Sequence, residues 1–122
     1  MSLLSLKDVS YIYEGEKNYV FSNININFKK GRVYGIVGKS GEGKSTLVSL
    51  MSGIDTCKTG EVSYNGKSLK KIDKELYRAK DIGVIFQSHN LLLNATAKEN
   101  ILLSMNISNI KKKIKIIMYI IY

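Results

Sequence analysis

Gly38-Lys39-Ser40-Gly41-Glu42-Gly43-Lys44-Ser45 decides the reading of this chain. It satisfies G-x-x-x-x-G-K-[ST] at every fixed position. Before it runs Val33-Tyr34-Gly35-Ile36-Val37, a continuous apolar stretch that predicts a strand buried on both faces. After it, Ser45 to Met51 carries Leu47, Val48, Leu50 and Met51 and predicts a short helix stopping near Gly53. Strand, glycine-rich turn and helix in this order make a phosphate cradle. Gly38, Gly41 and Gly43 let backbone N–H groups turn toward an anion. The positive end of the following helix adds to that field. Lys44 brings a point charge to the β- and γ-phosphates, and the Ser45 hydroxyl is the expected Mg2+ ligand. The pattern leaves the side chains of Lys39, Ser40 and Glu42 unconstrained.

Outward from the loop, Leu4 to Tyr13 alternates as a half-buried strand does. Glu14 to Asn18 reads as a turn. Val20 to Phe28 alternates again, with Ile24, Ile26 and Phe28 on one face and Asn23, Asn25 and Asn27 on the other. That pattern predicts an antiparallel strand with one wet face. Gly60 to Tyr64 reads as a strand entering the hairpin signal Asn65-Gly66. Asp73 to Lys80 and Ala95 to Met105 read as helices, and Ile82 to Phe86 as a second buried strand. Strands interleaved with helices, after an early antiparallel pair, predict an α/β fold with an antiparallel β subdomain.

The chain has 122 residues, enough for one domain at most, and 44% are apolar, as in ordinary globular chains. One cysteine, Cys57, cannot make an internal disulfide and reads as a packing thiol. The longest apolar run, Ile116 to Tyr122, is far short of a membrane span, and the N-terminus has no basic region of the signal-peptide kind. The net charge is +9, from 19 Lys+Arg against 10 Asp+Glu. Seventeen of the basic residues are lysines, and Lys111, Lys112, Lys113 and Lys115 crowd the tail. No zinc spacing or basic–aromatic alternation accompanies the charge, so no nucleic-acid partner is expected.

The loop, extended to Gly38-Lys39-Ser40-Gly41-Glu42-Gly43-Lys44-Ser45-Thr46-Leu47, resembles the Walker A motif of ATP-binding cassette (ABC) transporter ATPases. Leu6 to Tyr13, followed by Phe21-Ser22-Asn23-Ile24-Asn25-Ile26, resembles that family's opening strands, which carry the aromatic that stacks on adenine. By position that role goes to Tyr13, with Tyr11 as runner-up. Ile82-Gly83-Val84-Ile85-Phe86-Gln87 resembles the family's Q-loop. The resemblance covers about residues 3–105. It implies a P-loop NTPase core that binds ATP with Mg2+ through Tyr13, Gly38, Lys39, Ser40, Gly41, Glu42, Gly43, Lys44, Ser45 and Thr46. Ser45 and Gln87 are the implied metal ligands, and Lys44 and Gln87 the implied catalytic residues. The implied partners are a transmembrane permease subunit, contacted through the Q-loop region, and a second ATP-binding subunit. The implied place is cytoplasmic, at the inner face of the cell membrane. Ile85 to Leu92 looks most like exporters and extractors of lipoproteins, macrolides and antimicrobial peptides. His89 is read as a surface residue of the Q-loop, because the family's switch histidine belongs much later in the fold.

The family's ATPase unit is about twice this length. No apolar run ending in Asp-Glu follows Gln87, and Glu99 is the sole carboxylate after residue 81. The signature motif, Walker B with its catalytic Glu, and the switch His are therefore not found, and the fold is expected to be truncated before them. Residues 1–105 read as the N-terminal part of an ABC-type ATP-binding domain, and 106–122 as a truncated or aberrant helical tail. The tail is either the start of a helical subdomain, a frameshifted extension or a surface-lying basic helix. The function implied is coupling of ATP binding and hydrolysis to transport. The alternative is a non-catalytic product or an ATP-binding module without turnover.

Overall fold

The structure, a computed structural model, describes residues 2–88 and 90–108 together with the strand at 117–119, whose side chains, like that of Ser108, are not described. The chain divides into two compact units, Met1–Lys74 and Glu75–Tyr122.

The first unit is built on a four-stranded antiparallel sheet in the order β2-β1-β3-β4. β1 (Ser2–Tyr11) pairs with β2 (Phe21–Lys29) on one side and β3 (Thr59–Tyr64) on the other. β4 (Lys67–Ser68) returns from β3 through Asn65 and Gly66, both at positive φ, as the Asn-Gly signal requires. On β2, Asn23, Asn25 and Asn27 are exposed while Ile24, Ile26 and Phe28 are half-buried, so the period-two pattern marks a real wet face. The two registers of β1 shift around Lys7–Asp8, with Asp8 at φ 51°. The Asp8 N–H donates to Asn25 Oδ1 at 3.0 Å, and Asn25 Nδ2 donates back to Asp8 Oδ1 at 3.0 Å, which holds this bulge. Gly60 passes directly over it at φ +80°.

Helix α1 (Lys44–Met51) closes after Ser52 in a Schellman arrangement, with Gly53 N–H on Leu50 O and Ile54 N–H on Ser49 O. It buries Thr46, Leu47, Val48, Leu50 and Met51. Leu50, Cys57, Val62 and Leu69 line one small cavity, so this helix packs toward β3. Leu4, Leu6, Val9 and Tyr11 of β1 and Tyr64 of β3 are buried as well.

Val33–Val37, expected as a doubly buried strand, is neither strand nor buried. Val33 and Val37 are almost wholly exposed. A strand exists through the ladder bonds of its neighbours, and among the described residues no segment pairs with this one. The segment is tethered locally instead, by Lys29 N–H donating to Tyr34 Oη at 2.8 Å and by edge-on contact of the Phe28 and Tyr34 rings.

In the second unit, α2 (Lys74–Lys80) leads to β5 (Gly83–Ile85), and α3 spans Ala97–Ser108. The buried strand expected over 82–86 shrinks to three residues, with Ile82 buried and Ile85 exposed. Among the described residues it has a single partner, the parallel strand β6 (Ile117–Tyr119), so both strands are edges there. The helix expected around Ile117 is corrected to this strand, in keeping with the β preference of Ile and Tyr. Helix α3 runs past residue 105, where the tail was expected to begin, and the rest of the tail, 109–116 and 120–122, lies outside the described residues. Thr96 and Glu99 form a capping box at the start of α3, with Thr96 N–H on Glu99 Oε2 at 2.7 Å and Glu99 N–H on Thr96 Oγ1 at 3.2 Å. Its first bond lowers the Glu99 pKa. Among the described residues no helix is long and apolar enough to cross a membrane.

Candidate nucleotide site

The loop of 38–43 is irregular backbone delivered straight into α1. Gly43 caps the helix at φ 84°, ψ 15°, and no side chain occupies the capping position. The φ demands glycine, and so does space, because a Cβ there would stand 2.5 Å from Val20 Cγ1 and 3.1 Å from Phe21 Cδ1. The loop therefore rests on the start of β2. The first helical bond, Leu47 N–H to Gly43 O at 2.9 Å, leaves the N–H groups of the first turn directed out of the helix end. No acidic side chain lies in that turn to compete with an anion. Together these features fit the polyphosphate of a nucleotide.

Lys44 folds back over the loop, its Nζ donating to Gly38 O and Lys39 O at 2.7 Å each. The ammonium is thereby held above the loop by two carbonyls. Glu42 bonds back to the loop, with its N–H on Lys39 O at 3.3 Å and its Oε2 accepting from Lys39 N–H at 2.7 Å.

Tyr13 stands beside the helix start, its hydroxyl 2.5 Å from Thr46 Oγ1 and its ring about half exposed (49%). Its ring meets Tyr11 edge-on, with centroids 5.1 Å apart. Tyr11 itself is buried, and its hydroxyl donates to Asp55 Oδ2. That bond, then burial and the nearby charge of Asp55, push the Tyr11 pKa up to about 12. Of the two tyrosines, only Tyr13 offers ring surface to a ligand, and Tyr11 serves as its wall. Asp55 was not singled out from the sequence, since 44 residues separate it from Tyr11 and no spacing rule links them.

Ser45 and Thr46 occupy the first turn of α1, the Thr46 side chain being buried against Tyr13. Gln87 belongs to the second unit, just beyond β5, with an exposed side chain. His89 lies outside the described residues. Among the described residues no cluster of three or more His, Cys, Asp or Glu is arranged to hold a metal ion.

A family model for ABC transporters matches residues 21–119, and the chain belongs to that family. Over 115 residues it is 42% identical to an ABC transporter ATP-binding protein, YclH, of Bacillus subtilis (strain 168), covering 94% of this chain and 51% of that protein. Over 118 residues it is 36% identical to the lipoprotein-releasing system ATP-binding protein LolD of Wigglesworthia glossinidia brevipalpis, covering 93% and 52%. A bacitracin export protein and a methionine import protein match at 38% and 37% identity. The solved dimeric ATP-binding cassette MJ0796, bound to ADP and Pi, superposes with a TM-score of 0.80 at 30% identity, over 91% of this chain and 50% of that one. The chain thus has the fold of a P-loop NTPase cassette and spans about half the length of these relatives.

Proposed function

We propose that this chain binds Mg-ATP as part of the ATP-binding component of an ABC transporter. The observation that carries the reading is the Gly43-capped start of α1 with Lys44 held over the loop at 2.7 Å from two carbonyls. In this reading the loop amides and Lys44 hold the β- and γ-phosphates, and Tyr13 stacks on the adenine. The Ser45 hydroxyl serves the Mg2+, which would supply charge neutralisation across the phosphates.

Turnover is a separate matter. After residue 81 the sole carboxylate is Glu99, and it is engaged in the capping box of α3. Residues 82–122 thus bring no carboxylate besides this capped Glu99 to orient an attacking water. In the assembled transporter we place the chain at the cytoplasmic face, with a permease subunit at the Q-loop region and a second ATP-binding subunit. The lipoprotein and bacitracin relatives favour export, and the methionine relatives keep import as the competing direction.

Thermal unfolding of the full chain tests the proposal. A ligand that binds only the folded state raises the midpoint with its concentration. Mg-ATP is expected to raise it and adenosine to leave it unchanged. A midpoint indifferent to Mg-ATP would sink the reading.

A further inference from the structure

We infer that Glu42, a variable position of the loop pattern, is a positioning residue for Lys44 that acts through the Gly38–Lys39 peptide. The inference rests on the reading of 38–46 as the nucleotide site. That one peptide is gripped at both ends: its N–H donates to Glu42 Oε2 at 2.7 Å, and its C=O accepts from Lys44 Nζ at 2.7 Å. No peptide bond described in the chain is cis, so the C=O and N–H of this unit point in opposite directions. The carboxylate and the ammonium consequently sit on opposite sides of the peptide. Glu42 faces away from the side on which Lys44 meets the phosphates.

This placement decides the sign of its effect. A carboxylate beside the phosphates would repel them. A carboxylate behind the loop instead accepts a charge-assisted bond that fixes the peptide plane. With the plane fixed, the Gly38 and Lys39 carbonyls hold the ammonium where the anion arrives, and less ordering is left to complete on binding. The absence of a side chain at Gly38 belongs to the same device. A Cβ there would lie 2.6 Å from Glu42 Oε2, so any other residue would push the carboxylate off its bond.

Titration calorimetry of the full chain with Mg-ADP tests this with three variants. Glu42→Ala is expected to weaken binding about five- to tenfold, the scale of one ordinary lost hydrogen bond. Glu42→Gln, which keeps an acceptor oxygen, is expected to stay within about threefold of wild type. The nucleotide-free unfolding midpoint of Glu42→Ala is expected to match wild type, since the bond lies at the surface. Binding by Glu42→Ala equal to or tighter than wild type would overturn the inference, as would equal losses in both variants. Lys44→Ala separates the two levels. If it abolishes binding while Glu42→Ala is neutral, only the role of Glu42 fails. If Lys44→Ala binds as wild type does, the site assignment itself fails.

Discussion

The two units of this chain bury their apolar residues to different extents. In Met1–Lys74 the sheet and α1 bury Leu4, Leu6, Val9, Leu50 and Val62 to 5% exposure or less. In Glu75–Tyr122, Tyr77 and Ile82 are buried to 5% exposure or less, but Leu91, Leu93, Ile101 and Ile107 are each at least 60% exposed. The difference is one of partners. Strand β1 has neighbours on both edges and a helix to pack against its unit's core, whereas among the described residues β5 pairs with β6 alone. Apolar patterning selects the local conformation, but burial needs a second surface, and that surface is a property of the whole fold. The loop of 38–46 is carried by the first unit.

Substitutions can break or sharpen this contrast. Leu50→Ala, at a residue 1% exposed, is expected to cost about 2–5 kcal/mol in urea denaturation. Gly60→Ala places a Cβ 2.3 Å from the Asp8 carbonyl oxygen at φ +80° and is expected to cost about 2–3 kcal/mol in the same assay. A loss below about 0.5 kcal/mol at either site would mean the first unit is less tightly built than described.

Tyr11→Phe removes a buried bond and is expected to cost about 1 kcal/mol at neutral pH. Its pH dependence has a definite sign. The folded-state pKa of about 12 lies above the ordinary 10.0, so the contribution is fully present below pH 10. It is lost as pH rises from 10 toward 12, where the unfolded chain ionises first. Wild type should shed this increment over that window and the Phe variant should not. Parallel curves for the two would refute the Tyr11–Asp55 assignment. The smallest effect belongs to the second unit: Leu102→Ser, at a residue 41% exposed, should change stability by less than about 0.5 kcal/mol. A loss matching that of Leu50→Ala would erase the contrast.

Legibility in the sequence followed the range of the physics. The Asn65-Gly66 turn, the asparagine face of β2 and the loop–helix junction at Gly43 and Lys44 depend on neighbours a few residues away, and each could be read directly. Val33–Val37 misled because continuous apolarity signals a buried strand only where other strands flank it. Ile117–Tyr119 misled because an isoleucine spacing compatible with a helix also suits a short extended ladder. Within the site, position singled out Tyr13 and Lys44, and the structure sets them against Thr46 and against the Gly38 and Lys39 carbonyls. Asp55 and the carboxylate of Glu42 were not readable by position, since their roles arise from side-chain bonds that no spacing rule encodes.

The central claim is that the loop of 38–46 holds a nucleotide polyphosphate through Lys44. Titration calorimetry of Mg-ATP into wild type and Lys44→Ala tests it most directly. Wild type is expected to show saturable one-site binding and the variant to lose it. Equal affinity for Mg-ATP in the two proteins would contradict it.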